Sequence, residues 1–382
     1  MSHPPASPRL TRSSLAWACA ALCLAACSTD PLGPSAGGVS TIPNSRGNGV
    51  VPQAVAFKLA GTFRTTLSGS AWSNADVSPR WLADFDGDGL SDLMAMDAFN
   101  LYFSKNTGTT FATPLLLRDD FTAGGGWTSQ DASPRLFGDV TGDGLADLVA
   151  IGGASTFVNV SKGTDTVGSL TYQQTTFTAN DGFPLQATTP RFVADVDGDG
   201  KADLVGIDAA GVHVSLSDGN RFAPRALWSD QFTAARGYTS QRTQPRLMAD
   251  VDGDGKADLV GFGEKGITVG FSSGQGFEVK VVSTELSGAG WPNQDATPRF
   301  AGDVDGDGKA DFVGIDANGV HVVIGAGRLP AQASYVAYGG FNGADGFISQ
   351  VATPRYVIDV NGDDKADLVG FPAAGLVVLL AP

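Results

Sequence analysis

Six acidic loops recur along the chain, and each carries carboxylates at a spacing that suits a metal ion. They read DFDGDGLSD, DVTGDGLAD, DVDGDGKAD (three times) and DVNGDDKAD, and we number them loops 1 to 6 from the N-terminus. Carboxylates fill positions 1, 3, 5 and 9 in most loops, and position 7 offers a main-chain carbonyl. Calcium takes roughly six to eight oxygen ligands in a forgiving geometry, whereas magnesium demands a stricter octahedron. The loops therefore predict about six structural calcium ions.

The predicted calcium ligands occupy the same five positions of every loop. They are Asp84, Asp86, Asp88, Leu90 and Asp92; Asp139, Thr141, Asp143, Leu145 and Asp147; Asp195, Asp197, Asp199, Lys201 and Asp203; Asp250, Asp252, Asp254, Lys256 and Asp258; Asp303, Asp305, Asp307, Lys309 and Asp311; and Asp359, Asn361, Asp363, Lys365 and Asp367. Loops 2 and 6 depart from the pattern, because Thr141 and Asn361 replace an Asp and Asp364 replaces the turn glycine. We expect these two sites to be the weakest.

Two other interpretations of the loops fit the sequence less well. Asp and Gly are ordinary turn residues, but six loops in register, most with four carboxylates, would repel themselves without a cation. An EF-hand needs a bidentate Glu at position 12 and flanking helices. Position 12 is Ala or Gly in every loop here, and the flanking segments have strand patterns.

The loops mark a long internal repeat. They begin at Asp84, Asp139, Asp195, Asp250, Asp303 and Asp359, which are 53 to 56 residues apart. An aromatic residue lies twelve positions before each loop, Pro-Arg lies four to five before it, and apolar and alternating segments follow. Four short strands per unit at this period are typical of a propeller blade. The sequence thus predicts an all-β fold, a β-propeller of six four-stranded blades, with seven blades as the alternative.

The ends of the repeat region predict how the ring closes. The last repeat stops at Pro382 after its third strand, while residues 54–67 resemble a fourth strand without a blade of its own. We therefore expect the N-terminal strand to complete the last blade. A small residue follows each loop in the buried strand, as at Gly206 and Gly314, which predicts close approach of another group there.

The N-terminus has the pattern of an export signal. Arg9 and Arg12 precede an apolar run from Leu15 to Ala26, a combination typical of a secretory leader. The Leu-Ala-Ala-Cys ending at Cys27 resembles a bacterial lipobox, which implies lipidation of Cys27, with plain secretion as the alternative. We assign residues 1–26 to a lipoprotein signal peptide, 27–53 to a flexible tether and 54–382 to the propeller. The expected location is the cell envelope, at the outer membrane or cell surface, with the membrane touched through the lipid alone.

The loop followed by an apolar Asp-Leu-Val-Gly-Ile strand resembles the FG-GAP/VCBS repeat family, which includes the propellers of integrin α-chains. The resemblance covers residues 54–382. A closer resemblance, carried by the aromatic, the Pro-Arg and the D-V-x-G-D-G-x-A-D-L-V-G string, is to fungal and bacterial propeller lectins. Those lectins bind sugars between neighbouring blades, and calcium supports the blades.

Position by position, this resemblance implies sugar contacts at three kinds of residue, which are the aromatics Trp72, Trp127, Tyr238 and Trp291, the glutamines Gln130, Gln241 and Gln294, and the arginines Arg80, Arg135, Arg246 and Arg299. An aromatic face suits the C–H face of a sugar, and polar neighbours fix its orientation. The alternative is that the aromatics belong to the blade core and that the arginines pair with loop carboxylates. His213 and His321 share one strand position with Tyr102, Phe157, Thr268 and Val377, a mixture that we interpret as surface variation.

Charge and composition narrow the function. A formal net charge of −15 argues against a nucleic-acid partner, which calls for basic patches. The region after the leader has two histidines, no cysteine beyond Cys27 and no Ser-His-Asp signature, so we predict that the protein is not an enzyme. The sequence thus favours a multivalent glycan-binding protein. An adhesion propeller that binds a surface protein is the alternative, and a polysaccharide-active enzyme is a weaker one.

Overall fold

The chain forms a six-bladed β-propeller in a computed structural model. The structure describes residues 56–382 except 62, 69–71, 118–120 and 164–166. For residues 167–171 it describes the backbone only. The predicted signal peptide, the tether and Cys27 lie outside the described residues. Among the described residues, no helix is long and apolar enough to cross a membrane.

Each blade is one antiparallel four-stranded sheet, and in the first five blades the strands follow one another along the chain. The strands are β1 (Lys58–Leu59), β2 (Arg80–Ala83), β3 (Asp92–Met96), β4 (Leu101–Ser104), β5 (Leu115–Leu117), β6 (Arg135–Gly138), β7 (Asp147–Ile151), β8 (Thr156–Ser161), β9 (Val167–Gln174), β10 (Arg191–Ala194), β11 (Asp203–Ile207), β12 (Val212–Ser215), β13 (Ala226–Ser229), β14 (Arg246–Ala249), β15 (Asp258–Gly263), β16 (Gly266–Ser272), β17 (Phe277–Ser283), β18 (Arg299–Gly302), β19 (Asp311–Asp316), β20 (Gly319–Val323), β21 (Tyr335–Tyr338), β22 (Arg355–Ile358), β23 (Asp367–Gly370) and β24 (Val377–Leu380). Blades 1 to 5 take β2–β5, β6–β9, β10–β13, β14–β17 and β18–β21 in turn. Short 3-10 helices precede blades 2 to 6, at Ala123–Gly125, Ala179–Asp181, Ala234–Arg236, Gly288–Gly290 and Gly343–Asp345.

The sixth blade closes the ring with strands from both ends of the repeat region. Its sheet has the order β1-β24-β23-β22, and Lys58 pairs with Leu380 in antiparallel register. The prediction of six blades closed by the N-terminal strand is confirmed. Closure of this kind satisfies the main-chain groups that a free strand edge would expose.

The second strand of each blade carries the core. All five residues of β11 are buried, as are those of β3 and β7. Apolar clusters then join adjacent blades: Val149 and Val158 of blade 2 pack in one cluster with Val193 and Leu204 of blade 3. Because each blade is apolar on both faces, it needs a neighbour on either side, and a closed ring supplies both.

The small residue in that strand accommodates the repeated aromatic ring. A Cβ on Gly206 would lie 2.8 Å from Phe183, and one on Gly314 would lie 2.5 Å from Trp291. The expected close approach is therefore that of an aromatic side chain, which enters the blade over the glycine. The chain needs glycine at these positions to seat the ring.

Candidate functional site

The acidic loops connect the first and second strands of every blade. The first Asp of each loop accepts hydrogen bonds from main-chain N–H groups of the same loop. In loop 3, Asp195 Oδ1 accepts from Gly198 N at 2.6 Å and Oδ2 accepts from Gly200 N at 2.8 Å. Gly198 and Gly200 have φ values of 81° and 87°, a left-handed conformation that favours glycine. Asp364 adopts the same conformation in loop 6, with φ 66°, so the turn survives the loss of its glycine.

The ninth-position Asp fastens each loop to its blade. Asp203 is fully buried; its Oδ1 accepts from Ser217 N at 2.7 Å and its Oδ2 accepts from Val196 N at 3.0 Å. Burial raises the pKa of Asp203 to about 8, and it does the same for Asp258 and Asp311. Both oxygens accept N–H groups, which favours the ionised form, whereas burial disfavours that form. A nearby cation would remove this conflict.

The donor set of the loops fits a calcium ion. In loops 1, 3, 4 and 5, three carboxylate oxygens from three residues lie within 4.8 Å of one another. Two ligands on one calcium can be at most about 5 Å apart, since each bond is roughly 2.3–2.6 Å long. Within the described part of the chain, Asp86 Oδ1 and Asp252 Oδ1 are buried at the third position and have no hydrogen-bond partner. Buried polar atoms normally have one.

Neighbouring loops are hydrogen-bonded to each other in a series from loop 1 to loop 6. The main-chain N–H at position 8 donates to the carbonyl of the first Asp in the preceding loop, as from Ala202 to Asp139 at 2.6 Å and from Ala257 to Asp195 at 2.7 Å. Side chains reinforce several of these contacts: Ser217 Oγ donates to Val140 O at 2.7 Å. The loops are therefore part of the blade-to-blade contact.

The repeated arginines and glutamines lie inside the blades and bind one another. Arg246 Nε donates to Gln241 Oε1 at 2.6 Å, and Gln241 Nε2 donates back to Arg246 O at 2.8 Å. The same pairs join Arg135 to Gln130, Arg191 to Gln186, Arg299 to Gln294 and Arg355 to Gln350. All five arginines are at most 1% exposed, and each also donates to a main-chain carbonyl, as Arg246 does to Phe232 O. A sugar would reach these side chains only if the blade opened.

Blade 1 departs from this arrangement. Ala75 stands where the other blades carry the glutamine, and Arg80 Nε is a buried donor without a partner in the described structure. Arg80 O accepts instead from Tyr356 OH of blade 6 at 2.7 Å. The tyrosine thereby replaces one glutamine bond at the junction where the ring closes.

We expect Tyr356→Phe to lower the free energy of unfolding by about 2 kcal/mol, because it leaves the buried Arg80 carbonyl without a donor. Urea denaturation with a tryptophan fluorescence signal would measure the change. Tyr338→Phe, at a half-buried site, is the control. Equal stability of the two variants would contradict the assignment.

The repeated aromatics are buried or half-buried. Trp72 and Tyr238 are each 7% exposed, whereas Trp127 and Trp291 are half-buried. Trp127 packs against Phe121 and Phe157, with ring centroids 4.9 Å and 5.9 Å away. These rings are thus largely core, and Trp127 and Trp291 keep part of their surface exposed.

Beside three of these rings, the hairpin between the second and third strands holds a carboxylate that bonds a neighbouring side chain. His213 Nε2 donates to Asp208 Oδ1 at 3.0 Å, and His321 Nε2 donates to Asp316 Oδ1 at 2.8 Å. Tyr102 OH donates to Asp97 Oδ2 at 2.7 Å. We call these three places the hairpin sites of blades 1, 3 and 5. Each includes the repeated aromatic ring of its blade, which is Trp72, Phe183 or Trp291.

Each hairpin site combines a partly exposed polar pair with apolar neighbours. The side chains of His213 and Asp208 are 13% and 21% exposed, and those of His321 and Asp316 are 16% and 22% exposed. The Trp291 ring stands edge-on to His321 at 5.6 Å. On the fourth strand, the residue opposite each His or Tyr is exposed and apolar: Leu116, Leu227 and Val336.

The sequence interpretation missed the hairpin sites, since it treated His213 and His321 as surface variation. A signal was present, because Asp at position 14 counted from the loop start occurs in blades 1, 3 and 5 together with Tyr or His at position 19. The other blades have Gly152, Gly263 and Pro372 in place of the Asp. The paired pattern, rather than either position alone, marks the site.

The chain resembles known proteins in its sequence and in its fold. The sequence profile described as FG-GAP-like repeat matches residues 195–261 and 250–313. A solved structure of a lectin from Agrocybe aegerita, which recognises non-reducing terminal N-acetylglucosamine, is 31% identical to this chain in sequence. The match covers 78% of this chain and 75% of the lectin chain, with a TM-score of 0.66.

A second solved structure, the Tc holotoxin pore of Photorhabdus luminescens, is 18% identical with a TM-score of 0.55. The match covers 86% of this chain but 14% of the toxin chain, so it supports the fold alone. No protein of curated function has a detectably similar sequence.

Proposed function

The chain belongs to the FG-GAP-like repeat family of β-propellers, and on that premise we propose that it is an exported, calcium-stabilised protein that binds carbohydrate. One observation carries the choice of ligand class: three hairpin sites at matching positions of alternate blades pair a partly exposed carboxylate with aromatic and apolar neighbours. We place the sugar there. The lipid anchor at Cys27 and display at the cell surface are further parts of the same proposal.

The chemistry of a hairpin site suits a sugar. An ionised carboxylate offers about four acceptor positions. Asp208 Oδ1 accepts from His213 and from the main-chain N–H groups of Ala210 and Gly211, so Oδ2 can accept from sugar hydroxyls. Hydrogen bonds to a charged acceptor are stronger than neutral ones. The exposed Leu227, directly across the strand pair from His213, can offer the sugar C–H face an apolar contact.

The surroundings of the sites differ from blade to blade. Beside the blade 3 site, the Arg225 guanidinium lies 5.5 Å from the Phe183 ring and pairs with Asp181. Beside the blade 5 site, Ser334 donates to Glu285 at 2.5 Å. We propose that the three sites share a ligand class and differ in affinity, and that dense glycans gain avidity by engaging several at once.

A calcium ion in the acidic loop would support the hairpin site from the opposite end of the second strand. When bound, the ion would neutralise the loop carboxylates and cross-link the ends of the first and second strands. Asp195, Asp197, Asp199 and Asp203 would hold it in loop 3, with the Lys201 carbonyl. We propose no catalytic role for these carboxylates, since they are engaged within the loops.

N-acetylglucosamine is the first ligand to test, because the Agrocybe aegerita lectin recognises it. Calorimetric titration of the calcium-loaded protein is expected to give up to three sites per chain. His213→Ala and His321→Ala should each remove one site, because each takes away the partner that orients the carboxylate. Thr268→Ala changes the same strand position in blade 4, which has no such carboxylate, and should leave binding unchanged.

A glycan array widens this test to other sugars. If the folded, calcium-loaded chain binds no glycan on the array, the carbohydrate proposal is wrong. Adhesion to a surface protein then becomes the favoured function. An unchanged number of binding sites after both histidine substitutions would place the sugar outside the hairpin sites, because only the blade 1 site lacks a histidine.

A further inference from the structure

In two of the six acidic loops, a cation from outside the loop already sits on the third-position carboxylate. Lys105, which follows β4, bonds Asp86 through Nζ and also reaches Asp88 Oδ2 at 2.7 Å. Asp86 is 10% exposed, so this contact is largely sheltered from water. The other five blades carry apolar residues at the position of Lys105, namely Val160, Leu216, Phe271, Ile324 and Leu380.

Loop 4 receives its cation from the next blade. Arg328 of blade 5 donates from Nε to Asp252 Oδ2 at 2.5 Å, and Asp252 is 9% exposed. The same guanidinium bonds Glu278 at 2.8 Å and lies 4.8 Å from the centre of the Phe271 ring. Three contacts therefore hold Arg328 in place over the loop.

Loops 3 and 5 have the same carboxylates without such a cation in the described structure. Asp197 Oδ1 and Asp305 Oδ1 accept main-chain N–H groups of their own loops. Their lysines, Lys201 and Lys309, pair with the fifth-position Asp at 2.5 Å and 2.7 Å. The third-position carboxylates of these two loops thus remain available to a metal.

Arg328 also crosses a junction that lacks the usual side-chain bond. Ser161, Ser217 and Ser272 each donate to a carbonyl of the preceding loop, at 3.0, 2.7 and 2.5 Å. Blade 5 has Gly325 at this position and so has no hydroxyl to offer loop 4. The Arg328–Asp252 ion pair joins blades 4 and 5 there instead.

We propose that Lys105 and Arg328 are built-in counter-ions that compete with calcium, so that loops 1 and 4 bind the ion more weakly than loops 3 and 5. The inference rests on the calcium part of the proposed function. A calcium ion that takes Asp252 must displace Arg328, and occupancy of loop 4 is thereby coupled to the contact between blades 4 and 5. In return, loops 1 and 4 keep their shape at low calcium.

Calcium titration of the EDTA-stripped protein by calorimetry tests the proposal. Lys105→Met and Arg328→Met are each expected to tighten one weak site about tenfold or more, because each frees a carboxylate from a charge-assisted bond. In EDTA, both variants should melt below the native protein. Lys280→Met is the matched control, since Lys280 also pairs with Glu278 but does not contact a loop.

A transplanted arginine gives the reverse test without disturbing a buried contact. Gln275 of blade 4 is exposed and corresponds to Arg328, and the preceding glycines have matching positions. A Cβ on Gly274 would lie 3.6 Å from Asp197 Cα, and one on Gly327 would lie 3.5 Å from Asp252 Cα. Gln275→Arg is therefore expected to weaken the loop 3 site about tenfold.

The outcomes separate two failures. If the native protein takes up no calcium, the calcium part of the proposed function fails and this inference fails with it. If it binds calcium while Lys105→Met, Arg328→Met and Gln275→Arg all titrate like Lys280→Met, the counter-ion proposal alone is overturned.

Discussion

Chelation of calcium by EDTA is expected to lower the melting temperature of the chain by about 10 °C or more at pH 8. Loops 1, 3, 4 and 5 each bring four carboxylates together, and in each the ninth-position Asp is buried. A ligand that binds only the native state, at a concentration of about 100 times its Kd, raises the free energy of unfolding by roughly 2.7 kcal/mol per site. Differential scanning calorimetry in calcium and in EDTA would measure the loss.

The effect should spread beyond any one blade. Each loop is hydrogen-bonded to the next, as from Ala310 N to Asp250 O at 2.8 Å, so a loosened loop withdraws support from its neighbour. Re-addition of calcium should restore the native melting temperature, and magnesium is the control because it demands a stricter geometry. An identical melting temperature in EDTA and in calcium would refute a structural role for the ion.

The pH dependence of stability should reverse when calcium is removed. Burial raises the pKa of Asp203, Asp258 and Asp311 to about 8 and that of Asp92, Asp147 and Asp367 to about 7 in the metal-free fold. The pKa of an unfolded Asp is about 3.9. Between these values the folded chain binds more protons than the unfolded chain, so a rise in pH from about 4 to 8 lowers the free energy of unfolding.

Calcium-loaded protein should behave in the opposite way over the same range, because protons compete with the ion for the carboxylates. Melting temperatures at pH 5.5, 7 and 8.5, in EDTA and in calcium, would therefore give two curves of opposite slope. Parallel curves would contradict the assignment of the buried carboxylates to the metal sites.

The repeat predicted the fold because its information is local and is given six times. The acidic loop defines a fixed turn between two strands, and its period gives the number of blades. The missing fourth strand of the last repeat predicted the pairing of Lys58 with Leu380. A closed ring leaves few other arrangements for strands of this length and order.

The side-chain partners could not be predicted in the same way. The arginine and glutamine of one repeat are five residues apart, and only the turn between them shows that Arg246 Nε meets Gln241 Oε1. The Asp208–His213 pair likewise depends on the register of a hairpin. Lys105 and Arg328 stand at repeat positions where the other blades carry other residue types, so comparison between repeats gives no indication of their contacts.

Substitution of a buried arginine should have the second large effect. Arg191→Met is expected to lower the free energy of unfolding by about 3 kcal/mol or more, because two charge-assisted hydrogen bonds are lost in a fully buried place. Arg191 Nε donates to Gln186 Oε1 at 2.7 Å, and its guanidinium donates to Asp131 O of blade 2 at 3.2 Å. Methionine keeps much of the volume and offers no donor to either acceptor. Urea denaturation in saturating calcium would measure the loss.

The matched control is Arg221→Met in the same blade. Arg221 is 74% exposed and pairs with Asp218 on the surface, so its removal should change stability by less than about 0.5 kcal/mol. Arg191→Lys separates charge from geometry, because a lysine keeps the charge but cannot reproduce the two directed bonds of the guanidinium. We expect Arg191→Lys to destabilise the fold nearly as much as Arg191→Met. A stable lysine variant would mean that the blade junction needs a buried positive charge and not the arginine–glutamine pair.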